Sequence, residues 1–102
     1  MAINRTKRLP PIHPGDVLRD LLEEAGLTAN ALALALRVPA NRIGGIVKRQ
    51  RGITADTALR LARYFGTSAQ MWLNLQSKYD LAIAEDAVSR RIEQEVLPRS
   101  AA

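Results

Sequence analysis

Asn41 and Arg42 stand side by side in a stretch, Arg37 to Arg51, that holds five basic residues and no acidic one. A primary amide can pair bidentately with an adenine edge and a guanidinium with a guanine edge, while neighbouring Lys and Arg neutralise phosphates. Catalytic chemistry has far less to work with. The chain has no cysteine and one histidine, His13, which removes thiolate metal sites, thiol nucleophiles and His-rich metal sites. Asp16 with Asp20, and Glu23 with Glu24, are carboxylate pairs, yet no second histidine, nucleophile or Gly-rich loop completes an active site around them. They read as a solvated helix face, with Asp16 also favourable near a helix N-terminus. His13, just before Pro14-Gly15, reads as a capping or packing residue rather than a ligand. Trp72 reads as core or interface rather than a base-stacking platform, because single-stranded binders space several aromatics and this chain has four in all. The expectation is therefore no catalytic residue, no metal and no cofactor: a binding protein and not an enzyme.

The distribution of charge sharpens this. Of the 102 residues, 15 are basic and 10 acidic, a formal charge of +5. Residues 1–52 hold nine basic side chains against four acidic, and residues 53–102 hold six of each, so the whole excess lies in the first half. A smaller basic cluster is Arg5, Lys7 and Arg8. The apolar fraction is 47% but aromatics only 4%, so the core is aliphatic and helices are its natural builders. The length suits one domain. No apolar run is long enough to span a bilayer, and Met1–Pro11 lacks the apolar stretch of a signal peptide, so no membrane association and a cytoplasmic location are expected.

The elements that must position these residues read as all-α, a compact bundle of five to six helices. Residues 1–12 read as a basic, Pro-rich arm, residues 13–78 as the binding domain, and residues 79–102 as a C-terminal helix and short tail. Leu18, Leu21, Leu22 and Ala25 recur at helical spacing from Asp16 to Gly26. Thr28 caps a short helix to Leu36. Pro39 fits the first position of a third, in which Ile43, Ile46 and Val47 form an apolar stripe opposite Asn41, Gly45 and Lys48. Thr54 caps a fourth helix ending at Gly66, and Thr67 with Gln70 forms a capping box for a fifth. Leu81, Ala84, Val88, Ile92 and Val96 then continue it or form a sixth. That stripe has three readings: docking on the core, pairing with a second copy, or facing another protein.

Two short helices joined by a tight turn match the helix-turn-helix plan, whose second helix enters the DNA major groove. Leu32, Val38, Ile43 and Ile46 would lock the crossing, with Leu59, Leu61 and Ala62 closing the core. Lys48, Arg49 and Arg51 would contact phosphates, as would Thr28 and Asn30 at the start of the second helix. Two features depart from the plan. Arg37 stands at a turn position usually held by glycine, which strains the chain if φ is positive there. Gly44-Gly45 weakens the recognition helix by roughly 1 kcal/mol per residue relative to alanine, or lets its backbone approach a base.

With these segments in hand, the chain resembles the HigA-type antitoxins of the lambda-repressor-like helix-turn-helix superfamily. The likeness is carried by His13-Pro14-Gly15-Asp16-Val17-Leu18, Leu27-Thr28-Ala29-Asn30-Ala31-Leu32-Ala33, Val38-Pro39-Ala40-Asn41-Arg42-Ile43 and Arg51-Gly52-Ile53-Thr54-Ala55-Asp56-Thr57-Ala58-Leu59-Arg60-Leu61-Ala62. Gly66 to Gln76 and Tyr79-Asp80-Leu81 continue it, over residues 12–82 in all. The resemblance implies a bacterial toxin–antitoxin module. In such a module the antitoxin neutralises a HigB-type toxin, an mRNA endoribonuclease, and represses its own operon as a dimer on double-stranded operator DNA. Carried onto this chain, base reading falls to Ala40, Asn41, Arg42, Gly45 and Lys48. Phosphate contact falls to Thr28, Ala29, Asn30, Arg37, Arg49 and Arg51. Homodimer pairing through the C-terminal helices is the accompanying expectation. A stand-alone regulator without a toxin, and a protein-binding module that has lost DNA affinity, remain the alternatives.

Overall fold

A computed structural model describes residues 9–100, and the expected basic cluster Arg5, Lys7 and Arg8 lies outside them. Five α-helices follow in order: α1 (Pro14–Ala25), α2 (Ala29–Leu36), α3 (Ala40–Val47), α4 (Ala55–Phe65) and α5 (Ala69–Glu95). No strand occurs among the described residues. The all-α expectation holds, with five helices and no sixth among these residues.

α1 begins two residues before Asp16, because Pro14 takes the first helical position, where its missing N–H is harmless. His13 caps it: Nδ1 accepts from the Gly15 N–H at 2.8 Å, and the His13 N–H donates to Asp16 Oδ2 at 3.0 Å. The imidazole is buried and meets the Tyr79 ring of α5 edge-on, with centroids 4.7 Å apart. His13 is thus the capping and packing residue expected from sequence.

Burial, followed by the Arg49 charge, lowers the His13 pKa below its ordinary 6.5, against the opposing pull of Asp16 and Asp80. The sign follows from linkage. The unfolded chain takes up a proton at higher pH than the folded one, so the contribution is complete above about pH 6.5 and is lost as pH falls through the folded value. Urea melts across that window should show stability rising with pH, and an NMR titration of the imidazole should have its midpoint below 6.5. His13→Asn, which keeps a side-chain acceptor, should lose the slope.

The core is aliphatic, as the composition required. Leu18, Leu22, Leu32, Ala33, Leu36, Ile43, Ile46, Ile53, Ala58, Leu61 and Trp72 are buried together. The expected role of Leu59 is corrected: it is 63% exposed. α4 turns the smaller Thr57 and Ala58 inward beside Leu61, and Leu59 lies one helical step, about 100°, outside that face. α5 is also capped differently from the reading of its sequence. Ser68, not Thr67, accepts from the Met71 N–H at 3.0 Å, because Thr67 Oγ1 is occupied by the Trp72 indole N–H, also at 3.0 Å. Gln70 pairs with Asn74 and leaves the cap alone.

α5 runs unbroken for 27 residues, roughly 40 Å, so residues 78 and 79 fall within one helix. It packs on α4 and α1. Beyond Tyr79, Leu81, Ala84 and Ile92 of the stripe are exposed, Val88 is half-buried, and Val96 just past the helix end is exposed, which removes the reading that this stripe docks on its own core. No helix among the described residues is long and apolar enough to cross a membrane.

Candidate nucleic-acid interface

α2 and α3 are joined by Arg37, Val38 and Pro39 alone. Arg37 adopts φ 62° and ψ 45°, the left-handed conformation that usually belongs to glycine. Its N–H reaches the Leu34 carbonyl at 3.2 Å and the Val38 N–H reaches Ala33 at 3.0 Å, closing α2 in a Schellman motif. The strain foreseen from sequence is present, at a cost of about 1–2 kcal/mol. Pro39 does not occupy the first position of α3 as expected. It is the N-cap, extended at ψ 145°, and its carbonyl receives the Arg42 N–H at 3.0 Å, so the helix starts one residue later.

α3 buries Ile43 and Ile46 completely and turns Ala40, Asn41 and the following Lys48 to solvent. Thr28 Oγ1 accepts from the Ala31 N–H at 3.0 Å, capping α2, with Asn30 exposed and Ala29 half-buried beside it. The two glycines differ. A side chain at Gly44 would meet nothing within 4 Å, so its backbone is bare, whereas the Arg51 stem lies 3.2 Å from where a Gly45 Cβ would stand. The Arg51 stem therefore lies along α3 over Gly45, and Arg51 itself is exposed.

Two other expected contacts are placed differently. The Arg42 guanidinium donates through Nη1 to Asp56 Oδ2 of α4 at 2.9 Å. The same oxygen accepts from Arg60 Nε at 2.9 Å, and Arg60 Nη1 donates to the Leu36 carbonyl at the end of α2. The Arg60 hydrogen bond, supported by Arg42, holds the Asp56 carboxyl below the usual carboxylate range. Arg49 is turned away from this face. It is left-handed at φ 63°, with its N–H on the Ile46 carbonyl and the Gln50 N–H on Gly45, a second Schellman closure. Its guanidinium donates to the Pro11 carbonyl at 3.2 Å, lies 3.6 Å from Asp16 and covers the Tyr79 ring. Arg19 of α1 donates to the Val47 carbonyl at the end of α3, at 3.2 Å.

The arrangement is a short helix locked on its apolar side, braced at both ends by arginines, and bare or cationic on the outer side. No group of His, Asp or Glu residues able to hold a metal occurs among the described residues. Sequence reasoning missed Asp56 and Arg60. Their i,i+4 spacing was readable as a helix-surface pair, but nothing local announced Arg42 as a third partner.

Comparison with known proteins accords with this geometry. The helix-turn-helix family model matches residues 18–72, which span α2 and α3. Virulence-associated protein I of Dichelobacter nodosus is 62% identical over 78 residues, 76% of this chain and 72% of that protein. The Pseudomonas aeruginosa antitoxin HigA, solved with the higBA promoter, superposes with a TM-score of 0.85 at 54% identity, covering 88% of this chain and 99% of that one. An addiction module antidote protein of the HigA family from Coxiella burnetii superposes with a TM-score of 0.84 at 47% identity, over 89% and 100%.

Proposed function

Because this chain belongs to the HigA-type antitoxins of the lambda-repressor-like helix-turn-helix superfamily, we propose that it reads operator DNA with α3 as a dimer, represses its own operon and neutralises a HigB-type toxin. The observation that carries the DNA half is the outer face of α3: exposed Asn41, bare Gly44 backbone, exposed Lys48, and the Arg51 stem along Gly45. Likeness to a HigA solved with its promoter supports the same reading.

In this reading Asn41 and Arg42 pair with base edges, and Ala40 with the bare Gly44 backbone lies close against the groove, while Gly45, expected from sequence to read a base, is covered by the Arg51 stem. Lys48, Arg51 and Arg37 hold phosphates, together with the Thr28, Ala29 and Asn30 end of α2. Arg49 acts from behind, tying the exit of α3 to Pro11 and Asp16. The exposed Leu81 and Ile92, on one side of α5, supply an apolar surface for the second copy, which would set half-sites ~34 Å apart. The toxin half rests on family membership.

Fluorescence anisotropy with the DNA upstream of the chain's own reading frame, against a scrambled duplex, tests the DNA half. Asn41→Ala should lose roughly 1–3 kcal/mol of discrimination, whereas Lys48→Ala should weaken both duplexes alike and reduce the salt slope by about 1. Equal wild-type binding to the two duplexes overturns the reading. Co-expression with the adjacent gene and pull-down tests the toxin half. Operator binding without a retained partner would make the chain a stand-alone regulator.

A further inference from the structure

A guanidinium on a long flexible stem at the mouth of a DNA-binding face would settle on the nearest phosphate of any sequence, adding affinity without discrimination. Arg42, in the first turn of α3, is in that position but is not free. Its Nη1 is 2.9 Å from Asp56 Oδ2, and its side chain keeps 31% of its surface exposed. The same Asp56 oxygen is held by Arg60, which is held in turn by the Leu36 carbonyl. A line of hydrogen bonds thus runs from the last residue of α2, through two residues of α4, to the first turn of α3. It anchors one corner of the Arg42 guanidinium and offsets its charge.

Exposed ion pairs of this kind add little to stability, and α4 is capped by Thr54 rather than Asp56, so the fold does not require this carboxylate. Its consequence falls on Arg42. A guanidinium neutralised by a carboxylate is a weak phosphate ligand. One held in place still offers its remaining N–H groups in a fixed plane, which is what bidentate contact with a guanine edge needs.

Resting on the operator-binding reading above, we propose that Asp56 is a positioning residue for sequence recognition: it withholds Arg42 from the phosphates and aims it at a base edge. The carboxylate thereby trades non-specific affinity for discrimination.

The test uses the full chain with the upstream operator duplex and a scrambled duplex of equal length, titrated over a range of salt. Asp56→Ala should bind the scrambled duplex more tightly and steepen the slope of log K against log salt by about 0.9, the increment for one more phosphate neutralised. It should also lower the operator-to-scrambled ratio roughly tenfold. Asp56→Asn, which removes the charge at constant volume, should behave alike, and Asp56→Glu should recover the ratio at least in part. In an Arg42→Ala background, Asp56→Ala should change neither slope nor ratio. Melting temperatures near that of the wild type accompany these results. If Asp56→Ala and Asp56→Asn keep the wild-type slope and ratio, or shift them equally when Arg42 is absent, the assignment is overturned while the DNA-binding reading stands. A wild-type chain that fails to distinguish the duplexes overturns that reading and this inference together.

Discussion

Gly15→Ala is expected to destabilise the fold by about 3 kcal/mol and to weaken operator binding along with it. A Cβ at this position would fall on the carbonyl group of Ile46, whose carbon would lie only 2.8 Å away. That neighbour is backbone near the end of α3, so no side-chain rotation relieves the overlap; α1 and α3 must separate. The same Ile46 carbonyl receives the Arg49 N–H at 2.9 Å, so displacing it also opens the closure that ends the recognition helix. At roughly 4–8 °C per kcal/mol for a domain near this size, the melting temperature should fall by more than about 10 °C. Gly44→Ala, where the added methyl meets nothing within 4 Å, should instead stabilise by about 1 kcal/mol. Thermal melts of the two variants provide the check: shifts of the same sign would show that α1 does not lie against the α3 backbone.

Trp72→Ala should cost still more, about 3–5 kcal/mol, a large part of the ~5–15 kcal/mol by which domains are ordinarily stable. Trp72 has no exposed surface and, among the described residues, is the one large aromatic ring in the fully buried part of an otherwise aliphatic core. Its removal leaves a cavity where α5 joins that core and takes away the hydrogen-bond donor of Thr67. Trp72→Phe restores most of the volume but not the N–H and should lie well between the two. Urea unfolding followed by helical circular dichroism measures this without relying on tryptophan fluorescence. A loss below about 1 kcal/mol for the alanine variant would contradict the burial.

How much of this was legible beforehand differs from residue to residue. Ile43, Ile46 and Leu32 announce their burial through spacing, and Thr28, Thr54 and Gly66 announce helix ends through local hydrogen-bond chemistry. Thr67 misleads because its hydroxyl suits a cap equally well. The competing donor, the Trp72 indole, reaches it only once α5 has folded against the core. Leu59 misleads because aliphatic character is no guide to facing when Thr57 and Ala58 fill the inner side of α4. The basic stretch Arg37–Arg51 reads as one surface, yet its arginines part company: Arg51 lies along α3, Arg42 is held by Asp56, and Arg49 faces α1 and α5.

The sequence by itself determined an all-helical chain, the caps at Thr28, Thr54 and Gly66, the helix-turn-helix pair and the half of the molecule that carries the charge. Those properties follow from periodicity, capping chemistry and composition, which act within a turn or two of helix. Only the tertiary structure decided which cations face outward and which brace the helix that presents them. Arg42 meets Asp56 14 residues away, and Arg49 meets Pro11 38 residues away. A guanidinium at the end of a long stem takes whichever acceptor the crossing of distant helices brings within reach, and no local pattern records that crossing.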